Sequence, residues 1–362
     1  MRSDAERGAI IATWLVADSA EDASGFPQAG LDSASVQFQE IYWRCVACFF
    51  ATSVRIGNAA RHVLFTNVER LPTVDGLSLD DFFMRLGVEV RTVPITHRLG
   101  KGKVSTWNNQ FYILDIIADL HARHEFQCAA VLDSDCVWVR RADEFMADIV
   151  RRGVLTLCIP YALDFKVNQG SRQDLRRAAL QLAGKALARV PYYAGGELFA
   201  ATPEAIAKIW DLAEPMWRRL EASEPGEIAI YEEGHFLSII YELLDIPIGT
   251  ADPHIRRMWT ALRLYNVTWE DIHSSRCIWH LPMEKKTGFL DLFAAVRELD
   301  SWFWRIPPDE LRSRIAATMG MPRPSPRQWL NKVRSRAKDH LAKWSSEMLR
   351  EKRLAVGGRR DA

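Results

Sequence analysis

Two hydrophobic rhythms alternate along the first two thirds of the chain. Ala9 to Ala17, His62 to Asn67, Val88 to Val93, Ala129 to Leu132 and Val154 to Ile159 are short apolar runs of the kind that form buried strands. Between them, apolar positions recur every three or four residues over Val36–Arg55, Leu79–Leu86, Trp107–His121 and Ala142–Arg151, which predicts helices. Further on, Ser171–Arg189, Pro203–Leu220 and Ile228–Leu244 read as helices, and Tyr192–Ala201 and Cys277–His280 as strands. Strands alternating with helices predict an α/β fold with a mostly parallel central sheet. No internal repeat interrupts this order. The first shift in composition is Pro322-Arg-Pro-Ser-Pro326, a linker-like stretch before a basic tail.

The 362 residues carry a net charge of only +1, which argues against a nucleic-acid-binding protein. That figure hides an asymmetry. From Arg323 to Ala362 there are 12 Lys/Arg against 4 Asp/Glu, so the tail carries +8 and the remainder −7. Leu330, Val333, Ala337, Leu341, Trp344 and Met348 give the tail one apolar stripe flanked by basic residues. A helix of this type can lie on an anionic membrane surface or pack on its own domain. No run reaches the ~18 apolar residues of a membrane span, and the start lacks a signal-peptide pattern. Cytoplasmic residence is the expectation, with peripheral contact at the inner membrane face through the tail. Six cysteines, mostly in apolar stretches, fit free buried thiols, and Cys45-Val-Ala-Cys48 lacks the second pair of a zinc site.

The central apolar run Ala129-Ala-Val-Leu132 delivers Asp133-Ser134-Asp135 at its carboxyl end, where ligands bind in open α/β sheets. Two aspartates around a turn can converge on one hard cation. Far along the chain His280 offers a nitrogen, and Lys285 and Lys286 offer a cation to an oxyanion. A carboxylate/imidazole set suits Mn²⁺ or Mg²⁺ better than a structural zinc. His254 and His273 are rival ligands, and Arg256 and Arg257 read as surface or ion-pair residues.

This ordered set resembles the GT-A glycosyltransferases, and among them the glycosyltransferase family 8 type, over roughly residues 10–289. Asp133-Ser134-Asp135 matches the family's Asp-X-Asp, and Tyr193-Ala194-Gly195-Gly196 matches part of its acceptor-half strand. His280 and Lys286 keep the spacing of its late His-X-X-Gly-X-X-Lys motif, with Met283 in place of the glycine and Lys285 as an alternative lysine.

The resemblance implies a GT-A domain over 1–292 and a helical basic extension over 293–362. It implies a metal held by Asp133, Asp135 and His280, with Glu232, Glu233 and Lys286 as catalytic residues. Trp14, Asn109, Asp133, Gly195, Gly196, Glu197 and Lys285 are then expected to contact donor or acceptor. The implied reaction moves a sugar from a nucleotide-diphosphate sugar, UDP by family habit, to a hydroxyl of a glycan, lipid or small molecule, with retention. Two rival readings are a haloacid-dehalogenase-like phosphohydrolase and a non-catalytic carbohydrate-binding protein on the same fold. The first carries its Asp-X-Asp on the first strand, whereas at least three strands precede it here.

Overall fold

The computed structural model describes residues 8–26, 31–100, 103, 106 and 108–338. Its main elements, in chain order, are β1 (Ile10–Leu15), α1 (Val36–Ile56), β2 (Arg61–Thr66), α2 (Leu79–Leu86), β3 (Val88–Thr92), α3 (Tyr112–Arg123), β4 (Ala129–Leu132), β5 (Cys136–Trp138), α4 (Asp143–Arg152) and β6 (Val154–Thr156). Then come α5 (Arg172–Ala183), β7 (Leu198–Ala201), α6 (Pro203–Ala222), α7 (Glu233–Leu243), β8 (Gly249–Thr250), β9 (Ile255–Arg257), β10 (Ile278–His280), α8 (Gly288–Arg297) and α9 (Pro308–Thr318).

Seven strands form one sheet in the order β8-β6-β7-β4-β1-β2-β3. It is mostly parallel; β7 alone runs antiparallel, between β4 and β6. The chain winds outward from β1 through β2 to β3, then returns to the other side of β1 with β4. The β1/β4 boundary is therefore a topological switch point, where the following loops part and leave a crevice at the strands' carboxyl ends.

Both faces of the sheet are covered, so its strands carry apolar residues almost continuously. Ile11, Leu15, Ala130 and Leu132 face one core with α1, α2, α4 and α8. Ile10, Ala12, Ala129 and Val131 face the other with α3, α5, α6 and α7. α1 is buried from Cys45 to Ser53 without a break and serves as the central pillar of the first layer. The Ser35 side chain caps its start, and Gly57, at φ +81°, ends it in the left-handed region that glycine tolerates. All six cysteines are free and none is exposed.

Four expected elements are shorter or divided, among them the helix expected over Ser171–Arg189, which runs only from Arg172 to Ala183. The strand expected over Val154–Ile159 breaks at Leu157, and Cys158–Ile159 pairs instead with Tyr193–Ala194 in a separate ribbon. The strand expected over Tyr192–Ala201 is divided in the same way, with Gly195-Gly196-Glu197 as the joint. The helix expected from Ile228 begins only at Glu233, with Glu232 as an extended cap.

A second sheet, β9-β10-β5, adjoins the switch point. β5 follows the Asp-Ser-Asp turn directly and pairs antiparallel with β10, in a register that sets Cys136 opposite His280.

The division at residue 292 needs correction. α8 runs across it, and Phe293, Val296, Phe303, Leu311, Ile315 and Met319 lie in the same core as α1. The first core thus extends to Met321, because α8 and α9 cover its open side.

The tail continues as helix over 326–338, and its remainder lies outside the described residues. Its docking side is polar. Gln328 donates to the Ala317 and Thr318 carbonyls, and Lys332 reaches the Glu284 carboxylate at 2.5 Å and the Thr260 carbonyl at 3.0 Å. Lys332 therefore turns inward, while Trp329 and Leu330 stay exposed. No helix among the described residues is long and apolar enough to cross a membrane.

Candidate metal and donor site

β4 ends at Leu132, and the next three residues turn through Asp133-Ser134-Asp135 into β5, with Cys136 N donating to the Asp133 carbonyl at 3.2 Å. The β5–β10 register brings His280 beside that turn, and Leu281 N donates to the Asp135 carbonyl at 3.0 Å. One ligand atom from each of Asp133, Asp135 and His280 falls within 4.8 Å of the others, a group that could hold a metal ion. His280 Nε2 is 3.3 Å from Asp135 Oδ1 and 3.8 Å from Asp133 Oδ2. Two carboxylates and an imidazole are a donor set for a hard or borderline divalent ion.

The cluster is already charge-balanced. Lys285 Nζ is paired with Asp135 Oδ2 and lies 5.4 Å from the centre of the Tyr42 ring. Burial opposes ionisation of Asp135, but Lys285 and His280 overcome it and hold the carboxyl well below the usual range. Burial likewise opposes a charged His280, yet the Asp135 and Glu197 carboxylates push the imidazole up to about 9. Asp133, about a third exposed, is shifted upward by burial and by the Asp135 charge.

Behind His280 stands Glu197. Its Oε1 is 3.5 Å from His280 Nδ1, and Arg257 holds the same carboxylate through a two-pronged ion pair, Nε at 2.7 Å. A carboxylate behind the second ring nitrogen orients a ligating histidine and leaves Nε2 for the ion. The Lys285 loop is pinned in turn by Glu284, which accepts from Thr260, Thr287, the Gly288 amide and Lys332.

Across a cavity of about 250 Å³ lie Glu232 and Glu233, at the start of α7. Tyr193 donates its hydroxyl to Glu232, and burial, only partly offset by that bond, pushes this carboxyl up to about 7. Burial and the Glu232 charge raise Glu233 well above the usual range, and its Oε2 has no hydrogen-bond partner. Glycine is required nearby. A Cβ on Gly196 would strike the Glu233 carboxylate, one on Gly195 the Glu197 carboxylate, and one on Gly234 the Ala194 carbonyl at 2.9 Å.

The expected residues fall mainly in one place. Trp14, Asn109, Asp133, Asp135, Gly196, Glu197, Glu232, Glu233, His280 and Lys285 all line this cavity. Gly195 sits just behind the lining, and Lys286 is not part of it; the adjacent Lys285 is the lysine that reaches the carboxylates. Asn109 donates Nδ2 to the Asp18 carboxylate at 3.0 Å, which Arg98 holds at 2.7 Å. His254 pairs with Asp148 and His273 bonds its own helix, so neither joins the cluster.

The sequence does not place Arg257 or Tyr42 in the site, and Tyr193 enters it only as the first residue of the matched acceptor-half motif. The only signal for Arg257 is its place beside Arg256, whose ion pair is with Asp271, outside the cavity lining. No family model matches the chain, and no curated protein is significantly similar to it.

Proposed function

We propose that the protein is a metal-dependent glycosyltransferase that moves a sugar from a nucleotide-diphosphate sugar, UDP in the first instance, to an acceptor hydroxyl. The observation that carries this reading is the convergence of Asp133, Asp135 and His280 at the carboxyl end of β4, beside the switch point, with Lys285 against them. An anionic diphosphate fits a site that combines a divalent-ion donor set with a buried lysine. Mn²⁺ or Mg²⁺, held by Asp133, Asp135 and His280, would supply Lewis-acid stabilisation of the departing diphosphate.

In this reading each side chain has one task. Lys285 brings a second positive charge to the diphosphate oxygens. Glu197 and Arg257 fix the imidazole of His280. The base and ribose lie toward Trp14 and Asn109, at the β1 end of the cavity. Glu232 and Glu233 take the acceptor: its oxygen bonds to the anomeric carbon on the same face that the diphosphate leaves as that bond breaks, and its proton leaves through this carboxylate pair. Retention, expected from the resemblance, is part of the proposal, and the anomeric signal of the product in NMR decides it.

A panel of nucleotide sugars with Mn²⁺ tests the reading, scored by thermal shift and by release of the nucleoside diphosphate. A nucleotide-sugar signal lost with EDTA and in Asp135→Ala supports it. Phosphatase activity on small phosphates, without any nucleotide-sugar response, would replace it with a phosphohydrolase.

A further inference from the structure

Between β6 and α5 the chain forms a lip over the acceptor side of the cavity. Three aromatic rings lead inward along it. Phe165 stacks on Tyr161, centroids 4.7 Å apart and planes 18° apart, and Tyr161 lies 5.3 Å from Tyr193, whose hydroxyl bonds Glu232. The series runs from surface to core. Phe165 is 51 % exposed, Tyr161 lines the cavity, and Tyr193 is buried.

The lip is also held in place. Arg172 donates to the Tyr161 carbonyl at 2.9 Å, Gln173 N to the Leu163 carbonyl at 3.1 Å, and Phe165 N to the Ala162 carbonyl at 3.1 Å. A large apolar ring fixed in an exposed position, stacked on a tyrosine of the cavity lining, marks a binding surface rather than a frayed loop tip. Nearby Tyr192 is exposed too, but its ring already carries the guanidinium groups of Arg172 and Arg189.

We infer that Phe165 is the platform for a second sugar unit, so that the acceptor is a saccharide of at least two units. This rests on the glycosyltransferase reading and deepens it. The cavity lining offers Glu232 and Glu233, whose carboxyl groups exchange hydrogen bonds with hydroxyls. A sugar ring presents hydroxyls at its rim and an aliphatic face to an aromatic ring, matching the two kinds of surface found here. A lipid chain would gain one ring and the half-exposed Leu163, but nothing from the carboxylates. The reacting unit lies at Glu232 and Glu233, and its neighbour rests on the outer face of Phe165.

The test compares monosaccharides with disaccharides by saturation-transfer NMR on the full chain. The probes are methyl glucoside and methyl galactoside against cellobiose, maltose and lactose, with diamagnetic Mg²⁺ and UDP present. UDP signals in the same samples report donor binding separately. The expected result is a disaccharide bound about 3- to 10-fold more tightly than its monosaccharide, with that advantage lost in Phe165→Ala. Phe165 is half exposed, so this variant keeps its fold, and unchanged UDP binding verifies that. UDP binding without any saccharide signal, or a disaccharide advantage that survives Phe165→Ala, overturns the platform and leaves the glycosyltransferase reading standing. Absence of binding by UDP and by every other nucleoside diphosphate of the panel overturns the reading itself.

Discussion

On one side of the cavity the carboxylates of Asp135 and Glu197 are matched by Lys285, His280 and Arg257. On the other, Glu232 and Glu233 lie side by side with a tyrosine hydroxyl and no ion pair to a lysine or arginine among the described residues. Both clusters are buried, and both are built from the same functional group. They differ in what surrounds it. Cations hold the first in its ionised form. Desolvation and mutual repulsion keep the second close to its neutral form, where a carboxyl can exchange a proton near neutral pH. Under the proposed function, the first cluster binds charge and the second moves a proton.

If the comparison is right, neutralising one member on each side has opposite effects on stability. The largest effect is expected on the matched side. Asp135→Asn leaves Lys285 buried without its counter-charge, a loss of about 3–5 kcal/mol. Melting temperature falls, and Mn²⁺ binding followed by electron paramagnetic resonance disappears together with turnover. Unchanged stability would show that Lys285 finds another partner.

The second effect is confined to the chemistry. Glu233→Gln removes a carboxyl that is strained by burial, so melting temperature holds or rises. Turnover falls about 10²- to 10⁴-fold, as on removal of a proton-transfer group. Affinity for Mn²⁺ with UDP stays unchanged. A fall in stability would mean that Glu233 has an unrecognised partner, and the contrast would collapse.

The smallest effect is a pH dependence. His280 titrates near 6.5 when unfolded and about 9 in the metal-free fold, so its contribution is complete below about 6.5 and lost as pH rises through about 9. A metal ion needs the neutral imidazole, so its stabilisation grows over the same interval. Scanning calorimetry at pH 6.5 and pH 9 is expected to show the metal-free midpoint falling and the gap to the Mn²⁺-loaded protein widening. A constant gap would remove His280 from the ligand set.

Much of the architecture is legible in one dimension. Burial on both sheet faces writes itself as uninterrupted apolar runs, and a helix covering one face writes itself as a three-to-four period. The α/β class and the place of Asp133-Ser134-Asp135 at a strand end follow from these local rules. What fails locally is informative. Val154–Ile159 and Tyr192–Ala201 read as single strands because nothing in the residues shows that each is shared between two sheets.

The residues determine by themselves that this chain alternates strand and helix, that the Asp133/Asp135 pair ends a central strand, and that its tail is basic and amphipathic. Only the tertiary structure decides which distant groups meet that pair. The register of β5 on β10 brings in His280 from 145 positions beyond Asp135 and makes Lys285 rather than Lys286 its cation. The same folding turns Lys332 of the tail inward, onto Glu284. Charge pairing across such separations depends on how strands pair and helices dock, and those long-range contacts leave no period in the sequence.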